Sequence, residues 1–568
     1  MQVYPPVNID KIFKFRKNFL LCYPLSITRR KFYFILLWRG ENKMKQEYNA
    51  DIIIIGGGLG GCAAALGACT MGKKVILTEE TQWLGGQLTS QAVPLDENRW
   101  IEQFGCTYRY RQFREGVRNY YRRHFPLTPE ARQVQYLNPG NGTVSRVCHD
   151  PRVAVAVLNE MLAPFLLSGR LTVMMEHKIK KVETAGDRIQ AVTVENIRTK
   201  QEKVLVGSYF LDATECGDVL PLAGVEYVTG SESQKETGEL HALPGEADPF
   251  DIQSITWCYA VDYMEGEDHT IEKPEQYEFW KNYRVDFWPD SLLSWKSSHP
   301  ITNEPREHTL FPVDDRHALW TYRRIVDKNN FVPGTFDREI TIVNWPQNDY
   351  WLGPVYEVEE EEVKKHLEGA KQLSLSYLYW MQTEAPRPDG KIGYPGLRLR
   401  KDVVGTEDGL AMYPYIRESR RIKAEFTILE QHINPMARKE ETAEKFKDTV
   451  GIGHYSMDLH PSTAGRNYIH MSCLPFQIPL GSLIPIRMEN LLPACKNIGT
   501  THITNGAYRL HPVEWNIGEA AGLLAAYALD QKISPRGIRN TENQLQDFQK
   551  VLQKQGVELE WPKVGNSF

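Results

Sequence analysis

The sequence lacks the cysteine spacing of disulfide-rich and zinc-binding proteins. Nine cysteines are spread over 568 residues, and no two of them form a C-x-x-C pair. A disulfide framework or a thiolate metal site depends on such spacing, so neither is predicted, and we expect no bound metal. Reduced thiols are typical of a cytosolic protein, and a cytoplasmic location is therefore expected.

Basic charge and long apolar runs are also scarce. The net charge of −5 and the isoelectric point near 6.3 argue against a dedicated nucleic-acid binder. Thr28-Arg-Arg-Lys-Phe32 is similar to a twin-arginine export signal, but the apolar run 32–38 that follows is too short to span a bilayer and has no cleavage site after it. We therefore expect residues 1–49 to be a disordered extension, or an upstream mis-assigned start with Met44 as the real one.

A complete dinucleotide-binding pattern occupies residues 50–89. An apolar, β-branched run leads directly into Gly56-x-Gly58-x-x-Gly61 and a small-residue helix. Gly56 permits the tight turn, Gly58 lets the backbone approach a pyrophosphate, and Gly61 lets the helix lie close on the strand. The helix N-terminus offers free amides to phosphates. Glu79, 18 positions after Gly61, stands about where a ribose-binding carboxylate is expected.

Paired glycines follow this acidic position. Gly85, Gly86 and Gln87 lie in the segment Trp83-Leu84-Gly85-Gly86-Gln87-Leu88-Thr89. Such a segment can run along a long, flat cofactor instead of stopping at the adenosine, although a plain surface turn has the same composition. The glycines favour FAD over NAD.

A second chemical landmark begins at Tyr209. An apolar strand ends in a small-residue turn that contains Asp212, Ala213, Thr214 and Asp218. A strand capped by an Asp turn would explain the same residues.

The middle of the chain is rich in tryptophan. Eight of the 13 tryptophans fall between Trp257 and Trp380, and strand-like runs at 252–261, 319–326 and 339–345 are separated by turn residues. This pattern predicts an inserted, mainly antiparallel substrate domain. Its tryptophans could stack on sugars, but core packing is the more common role. An apolar stripe predicts a helix over 357–381.

The C-terminal third contains a series of ordered motifs. They are Tyr415-Ile-Arg417-Glu418, His454 to His460-Pro461, Asn490 to Gly499, Thr501-His502 to Arg509-Leu-His511-Pro512, and Gly518-Glu519 to Gly522. With the glycine motif and the Asp212 turn, their order and spacing resemble the FAD-dependent oxidoreductases of the glutathione-reductase-like superfamily, in particular a family common in Bacteroidetes. The resemblance covers residues 50–530. Glu215 stands where glycine is usual, Cys495-Lys496 where Gly-Arg is common, and His511 where many relatives have an apolar residue.

The resemblance implies an α/β fold. It consists of a Rossmann-like FAD-binding domain, an inserted mainly antiparallel β substrate domain and a helical C-terminal part. We divide the chain into an extension (1–49), the first part of the FAD-binding domain (50–230), the insert (231–400), a part that completes the FAD site (401–530) and a tail (531–568). The FAD-binding residues are predicted to be Gly56, Gly58, Gly61, Glu79, Gly85, Gly86, Gln87, Asp212, Ala213, Thr214, Asp218, Gly499 and Gly518.

Catalytic candidates precede the last glycine motif. We expect Gly518 to open a helix over 519–529 whose N-terminus points amides at the flavin pyrimidine edge. His502, Arg509 and His511 are expected on the loop that leads into it. A flavin that oxidises an alcohol needs a base, and histidine has a suitable pKa. Arg509 could neutralise a carboxylate, an alkoxide or the reduced flavin.

The predicted activity is hydride transfer between FAD and a small polar substrate, with a carbohydrate or polyol favoured by the aromatic insert. No second G-x-G-x-x-G follows a strand, which favours an unknown electron acceptor over direct NAD(P)H. One alternative is fumarate-reductase-like reduction of an unsaturated acid, with Arg509 and Arg417 as carboxylate clamps. Others are an RNA-modification flavoprotein, disfavoured by the acidic balance, and a flavin-binding protein without turnover. His460 and Glu418 are the next catalytic candidates. The oligomeric state is not predicted.

Overall fold

The computed structural model describes residues 46–438 and 440–563. Expectations about residues 1–45, including the export signal, lie outside these residues. The strands are β1 (Gln46–Asn49), β2 (Ile52–Ile55), β3 (Val75–Glu79), β4 (Leu171–Met175), β5 (His177–Ala185), β6 (Arg188–Asn196), β7 (Glu202–Val206), β8 (Tyr209–Asp212), β9 (Tyr227–Val228), β10 (Ile255–Thr256), β11 (Tyr259–Tyr263), β12 (Lys296–Ser298), β13 (Pro305–Thr309), β14 (His317–Ala318), β15 (Arg324–Val326), β16 (Ile340–Val343), β17 (Asp349–Tyr350), β18 (Leu397–Leu399), β19 (Arg421–Ile422), β20 (Thr449–Gly453), β21 (Met457–Leu459), β22 (Ile469–Met471), β23 (Phe476–Pro479) and β24 (Leu491–Pro493).

The α-helices vary in length from single turns to more than twenty residues. They are α1 (Leu59–Thr70), α2 (Tyr108–His124), α3 (Pro129–Gln133), α4 (Pro151–Leu167), α5 (Val219–Leu222), α6 (Gln234–Thr237), α7 (Tyr277–Asn282), α8 (Leu319–Tyr322), α9 (Glu360–Thr383), α10 (Lys401–Val404), α11 (Glu430–Ile433), α12 (His502–Tyr508), α13 (His511–Gln531), α14 (Pro535–Asn540) and α15 (Glu542–Lys554).

A five-stranded parallel sheet carries the glycine motif. Its order is β24-β8-β2-β3-β4, and every neighbouring pair is parallel. The central strand β2 is four isoleucines, all buried, as expected for a strand covered on both faces. Ligands of such sheets bind beyond the carboxyl ends of the strands, which is where Gly56, Ala213 and Glu80 follow β2, β8 and β3. The predicted Rossmann-like α/β fold is confirmed.

The predicted end of the N-terminal extension at residue 49 is wrong. Residues 46–49 form β1, which pairs in parallel with β7 from Gln46 opposite Lys203 to Asn49 opposite Val206. Together with β6 and β5 it completes a four-stranded sheet. The four residues of β1 are polar and mostly exposed, so no apolar alternation marks this edge strand in the sequence.

The insert is mainly antiparallel, as predicted. Strands β15, β16, β11 and β18 form one antiparallel sheet. The run 319–326 is not one strand, because Leu319–Tyr322 forms the helical turn α8 before β15 begins. The long helix α9 begins at Glu360, three residues later than predicted, and its first turn holds three glutamates. All eight tryptophans between Trp257 and Trp380 are buried, which supports core packing as their role.

Helix α13 begins earlier than predicted, and it packs closely against α1. The helix begins at His511 with Pro512 in its first turn, not at Gly518. A Cβ atom on Gly518 would lie 2.0 Å from the carbonyl oxygen of Gly60, and one on Gly522 would lie 2.2 Å from that of Ala64. These glycines therefore let α13 lie against α1.

The segment predicted as a C-terminal tail forms α14 and α15. Leu545, Phe548 and Leu552 of α15 are buried. The described residues from Gln46 onward belong to one compact unit, and the boundaries at 230, 400 and 530 stay predictions. The eight described cysteines are buried and free of disulfides. No helix in the described part of the chain is long and apolar enough to cross a membrane.

Candidate functional site

A groove opens where β2, β3 and β8 end. Its lining includes six of the predicted cofactor residues, namely Gly56, Gly58, Glu79, Gly86, Ala213 and Thr214. It also includes residues that the sequence did not single out for this role, among them Glu80, Thr81, Ser90, Gln91, Glu215 and Tyr413. The groove therefore brings these six residues together at the carboxyl ends of the strands, where a dinucleotide is expected to bind.

The backbone of the groove fits FAD. Gly56 has a φ of +98°, and a Cβ atom there would lie 2.2 Å from the carbonyl oxygen of Ala213. Gly58 has a φ of −63° and precedes the first turn of α1, whose free amides suit a pyrophosphate. Among the described residues, the side-chain oxygen and nitrogen of buried Gln91 have no hydrogen-bond partner. A bound cofactor would supply the missing partners, since buried polar groups are normally paired.

Glu79 lies at the end of β3, where the ribose-binding carboxylate was predicted. Its Oε2 accepts a hydrogen bond from the Gly57 amide at 3.0 Å, and its Oε1 accepts from the Thr81 amide at 2.8 Å. Burial raises the pKa of Glu79 to about 7, opposed by the hydrogen bonds from Thr81 and Gly57. Glu79 thus stabilises the glycine turn through its hydrogen bond with Gly57, and it also lines the groove.

The other glycines of the motif shape the turn and the packing around it. A Cβ atom on Gly61 would lie 2.0 Å from the carbonyl oxygen of Gly56, so Gly61 lets α1 approach β2, as predicted. Gly85 has a φ of +114°, a left-handed conformation that favours glycine. Gln87 donates to the carboxylate of Glu514 at 2.7 Å and to the carbonyl oxygen of Arg509 at 3.1 Å. Gln87 therefore joins this segment to the start of α13.

Seven predicted cofactor residues lie outside the groove lining: Gly61, Gly85 and Gln87, described above, and Asp212, Asp218, Gly499 and Gly518. Asp212 is fully buried and accepts hydrogen bonds from Thr214 and Val219, which fixes the turn after β8. Asp218 pairs with Arg420 at 3.1 Å. Gly499 packs against Ala424, and its amide donates to the Ser482 carbonyl. Gly518 packs on Gly60, as described above.

Glu215 and Lys496 form an ion pair at the groove. The Lys496 side chain is fully buried, and a Cβ atom on Gly58 or Gly86 would lie 2.9 Å from Glu215 Oε1. Burial opposes the charged form of Lys496, but the carboxylates of Glu215 and Glu514 raise its pKa. A compensated pair of charges therefore borders the position where the pyrophosphate is expected.

A second, polar cavity of about 180 Å³ lies beyond the groove. We call it the substrate cavity. Its lining includes Asp96, Arg306, His308, His317, Arg323, Asn344, Tyr415, Arg417, Asp458, His460, Tyr468, His470 and Arg509. Many of these side chains come from the insert and from the segment 454–470, which the sequence placed beside the cofactor.

Two stretches of chain connect the groove with the substrate cavity. Gly86, Ser90 and Gln91 line the groove, and Asp96, a few residues later, lines the cavity. Tyr413 lines the groove and donates its amide hydrogen to the Ser90 carbonyl at 3.1 Å, while Tyr415 lines the cavity. The two spaces are therefore neighbours along both stretches.

His460 lies between two carboxylates in the substrate cavity. Its Nδ1 is 2.6 Å from Asp349 Oδ2, and its Nε2 is 3.5 Å from Asp458 Oδ2. Asp349 is also held by Arg417 at 2.9 Å. Burial opposes ionisation of Asp349, but Arg417 and His460 keep its pKa below the usual range. A charged carboxylate on Nδ1 favours the tautomer with the hydrogen on Nδ1, so that Nε2, on the side of Asp458, is the nitrogen that can take a proton.

Of the three predicted catalytic residues, Arg509 lines the substrate cavity. Its guanidinium donates to the Tyr415 hydroxyl at 2.6 Å and to the Asp458 carbonyl at 2.7 Å. The expectation that all three residues lie on a loop is wrong, because His502 begins α12 and His511 begins α13.

Neither histidine lines the substrate cavity. His502 Nδ1 is 2.9 Å from Glu418 Oε1, a carboxylate that also pairs with Arg421. His511 Nδ1 accepts from the Asp96 amide at 3.0 Å. Burial lowers the pKa of His511 to about 3, aided by the nearby Arg323, so this ring is a weak base. Their catalytic roles stay predictions.

Several residues in or next to the cavity were not predicted from the sequence. Asp96 and Arg323 of the lining, and Asp349 behind His460, stand in loops or short strands that no motif marks. His308 and His317 are adjacent across the parallel pair β13–β14, but nothing in the sequence signals that pairing. Among the described residues, no group of three or more histidine, cysteine and acidic side chains is arranged to hold a metal.

Comparison with known proteins identifies the family. Structural neighbours include quinol fumarate reductase from E. coli (11% identity, TM-score 0.30, covering 90% of this chain and 74% of that one). Another is a geranylgeranyl bacteriochlorophyll reductase-like protein from Thermoplasma acidophilum (10% identity, TM-score 0.31, covering 90% of this chain and 85% of that one). L-proline dehydrogenase from P. horikoshii has 15% sequence identity and a TM-score of 0.18. The match covers 36% of this chain and 30% of the length of that protein.

None of the curated proteins matches this chain at a significant level. The family described as FAD dependent oxidoreductase matches residues 51–552, which include the groove and the substrate cavity. The chain belongs to the FAD-dependent oxidoreductase family.

Proposed function

We propose that this FAD-dependent oxidoreductase oxidises a hydroxyl group of a small polyhydroxylated substrate, a carbohydrate or polyol, and that His460 is the base. The observation that carries the proposal is the 2.6 Å contact of Asp349 with His460, which lines a polar cavity next to the cofactor groove. The cofactor supplies a two-electron acceptor for the hydrogen on carbon. The protein must then remove the hydroxyl proton and hold the substrate.

His460 Nε2 takes the hydroxyl proton in this proposal. Asp349 keeps the imidazole oriented through Nδ1 and stabilises the positive ring that forms, as a carboxylate does in a catalytic triad. Asp458 lies on the other side of the ring, and its pKa is held well below the usual range by His460 and His470 in spite of burial. Two carboxylates therefore stabilise the charge that His460 gains.

Arg509 and Tyr415 hold the substrate in this proposal. The Arg509 guanidinium donates to the Tyr415 hydroxyl at 2.6 Å, and both side chains line the cavity. Arg417 is less available, since it donates to the Ser254 carbonyl, the Thr256 hydroxyl and Asp349. The alternative that Arg509 and Arg417 clamp an unsaturated acid is weaker for this reason.

The test is anaerobic reduction of the bound flavin, followed by its absorbance, with a panel of sugars, polyols and sugar acids. A positioned base contributes about 10²- to 10⁴-fold to the rate. His460→Asn should slow flavin reduction by about that factor with an unchanged FAD content. His502→Asn and His511→Asn test the original assignment in parallel. If either slows reduction by that factor while His460→Asn does not, His460 is not the base.

A further inference from the structure

The unpaired polar atoms of the substrate cavity are all hydrogen-bond donors. Within residues 46–438 and 440–563, the buried side-chain atoms of the lining that have no partner are Arg323 Nε, Asn344 Nδ2, Trp345 Nε1, Arg417 Nε and Arg509 Nε. Among the described residues of the lining, no side-chain oxygen is both buried and without a hydrogen-bond partner. Because a buried donor without an acceptor is costly, these nitrogens favour a ligand that is rich in acceptors.

The cavity also has one positive charge without a partner. Three of its four arginines lie within 4 Å of a carboxylate: Arg323 near Asp96 at 3.8 Å, Arg417 near Asp349 at 2.9 Å and Arg509 near Asp458 at 3.7 Å. The fourth, Arg306, lines the cavity, and its side chain makes no ion pair or hydrogen bond with any residue that the structure describes. The cavity therefore has a net positive corner at Arg306.

Strand β13 places Arg306 beside two histidines. Arg306 and His308 alternate with Glu307, so both face the cavity, while Glu307 turns away to pair with Arg316 at 3.2 Å. His308 Nδ1 lies 3.3 Å from His317 Nδ1, and His308 Nε2 lies 2.8 Å from the Ser297 hydroxyl.

Arg306 alone carries the charge at this corner. Burial lowers the pKa of His308 to about 3 and that of His317 to about 4, and the charge of Arg306 adds to both shifts. Both rings are therefore neutral near neutral pH. A guanidinium that lines the same cavity as neutral, polar rings can bind two oxygens of an anion with its planar fork.

We propose that the substrate carries an oxyanion, as a sugar acid, sugar sulfate or sugar phosphate does, and that Arg306 selects this group. The proposal rests on the assignment of this cavity as the substrate site. Neutral polyols would leave the Arg306 charge uncompensated. An oxyanion supplies a negative charge for Arg306 and acceptor oxygens for a cavity whose buried, unpaired polar atoms are donors.

Binding to the oxidised, yellow holoenzyme tests the proposal without turnover. Glucuronate, glucose 6-sulfate, glucose 6-phosphate, inorganic sulfate and inorganic phosphate are compared with glucose and sorbitol by calorimetry and by the flavin difference spectrum. At least one oxyanion should bind about 10-fold or more tightly than glucose, the effect expected of one charge-assisted bidentate contact. The tightest of the carboxylate, sulfate and phosphate forms identifies the group.

Arg306→Gln should abolish this preference, and Arg306→Lys should keep part of it, because the charge remains without the fork. Arg316→Gln is the matched control, since Arg316 pairs with Asp314 and Glu307 outside the cavity lining. The FAD content and melting temperature show that each variant is folded. The proposal is overturned if no oxyanion binds, if glucose binds as tightly as all of them, or if Arg306→Gln keeps the preference. Failure of His460 as the base would leave these binding results unchanged, so the two proposals fail separately.

Discussion

Replacing Gly518 with alanine distinguishes a packing glycine from a cofactor contact. The sequence pattern placed Gly518 at a helix N-terminus facing the flavin, whereas the structure places it in the third turn of α13 against Gly60. An added Cβ would lie 2.0 Å from the Gly60 carbonyl oxygen, and ordinary contacts begin at 3.4 Å. Since the obstacle is backbone, the two helices must separate by more than 1 Å at this point.

The cost follows from the packing of small residues along both helices. Overpacking a tight core typically costs 1–3 kcal/mol and occasionally more, and here a backbone shift is unavoidable. We expect Gly518→Ala to lower the unfolding free energy of the FAD-free protein by about 3 kcal/mol. Urea unfolding of the stripped protein measures this directly.

Gly245→Ala is the control, because no atom of the residues that the structure describes lies within 4 Å of the added Cβ and the φ of Gly245 is not left-handed. We expect a change of at most about 0.5 kcal/mol for it. If the FAD-free Gly518→Ala protein unfolds like the parent while FAD affinity falls, then Gly518 contacts the cofactor and the packing argument is refuted.

Two further predictions concern the groove. Gly58→Val should fold but purify without colour, because Gly58 has an ordinary φ of −63° and its added Cβ meets the flexible end of Glu215, yet projects into the cofactor groove; stoichiometric FAD in the folded variant would contradict this. The raised pKa of Glu79, about 7 in the folded protein, means that the folded state holds this proton more tightly than the unfolded chain, so its contribution to stability is present below pH ~4.5 and is lost as the pH rises to ~7. In the FAD-free protein, Glu79→Gln should remove the part of the pH-dependent loss of unfolding free energy that comes from Glu79. Urea unfolding measures this, and an equal change in unfolding free energy for both proteins between pH ~4.5 and ~7 would contradict the role of Glu79.

The cofactor half of the site was predictable because its residues are close together in the sequence. Strand, glycine turn and helix follow one another within a few residues, and each glycine has a local steric role, such as the φ of +98° at Gly56. The turn after β8 was predictable for the same reason. The sequence alone could not show that Gly518 is a packing glycine, since glycine at a helix start and glycine at a close helix crossing have the same signature.

The substrate half was predictable only in outline. His460 contacts Asp349, which lies 111 positions away, and Arg417 reaches Asp349 from 68 positions away. Polar residues in short strands and loops have no periodicity from which the orientation of their side chains can be predicted. From the sequence, His460 is therefore only a second-choice catalytic candidate. The contribution of the insert to the cavity depends on the pairing of β12, β13 and β14, which the sequence does not predict.

Glu215 shows how a departure from a family pattern can be compensated by a residue far away in the sequence. It is unexpected by itself, since a carboxylate beside Gly58 would repel a pyrophosphate, while Lys496, which keeps the positive charge of the arginine common at its position, is a fully buried ammonium that needs a counterion. In the structure the two residues, 281 positions apart, form an ion pair. Removing one partner of a buried pair is strongly destabilising, because the other charge is left uncompensated. The carboxylate at 215 is therefore tolerable in the cofactor groove because residue 496 is a cation, and the two positions form one element of the site.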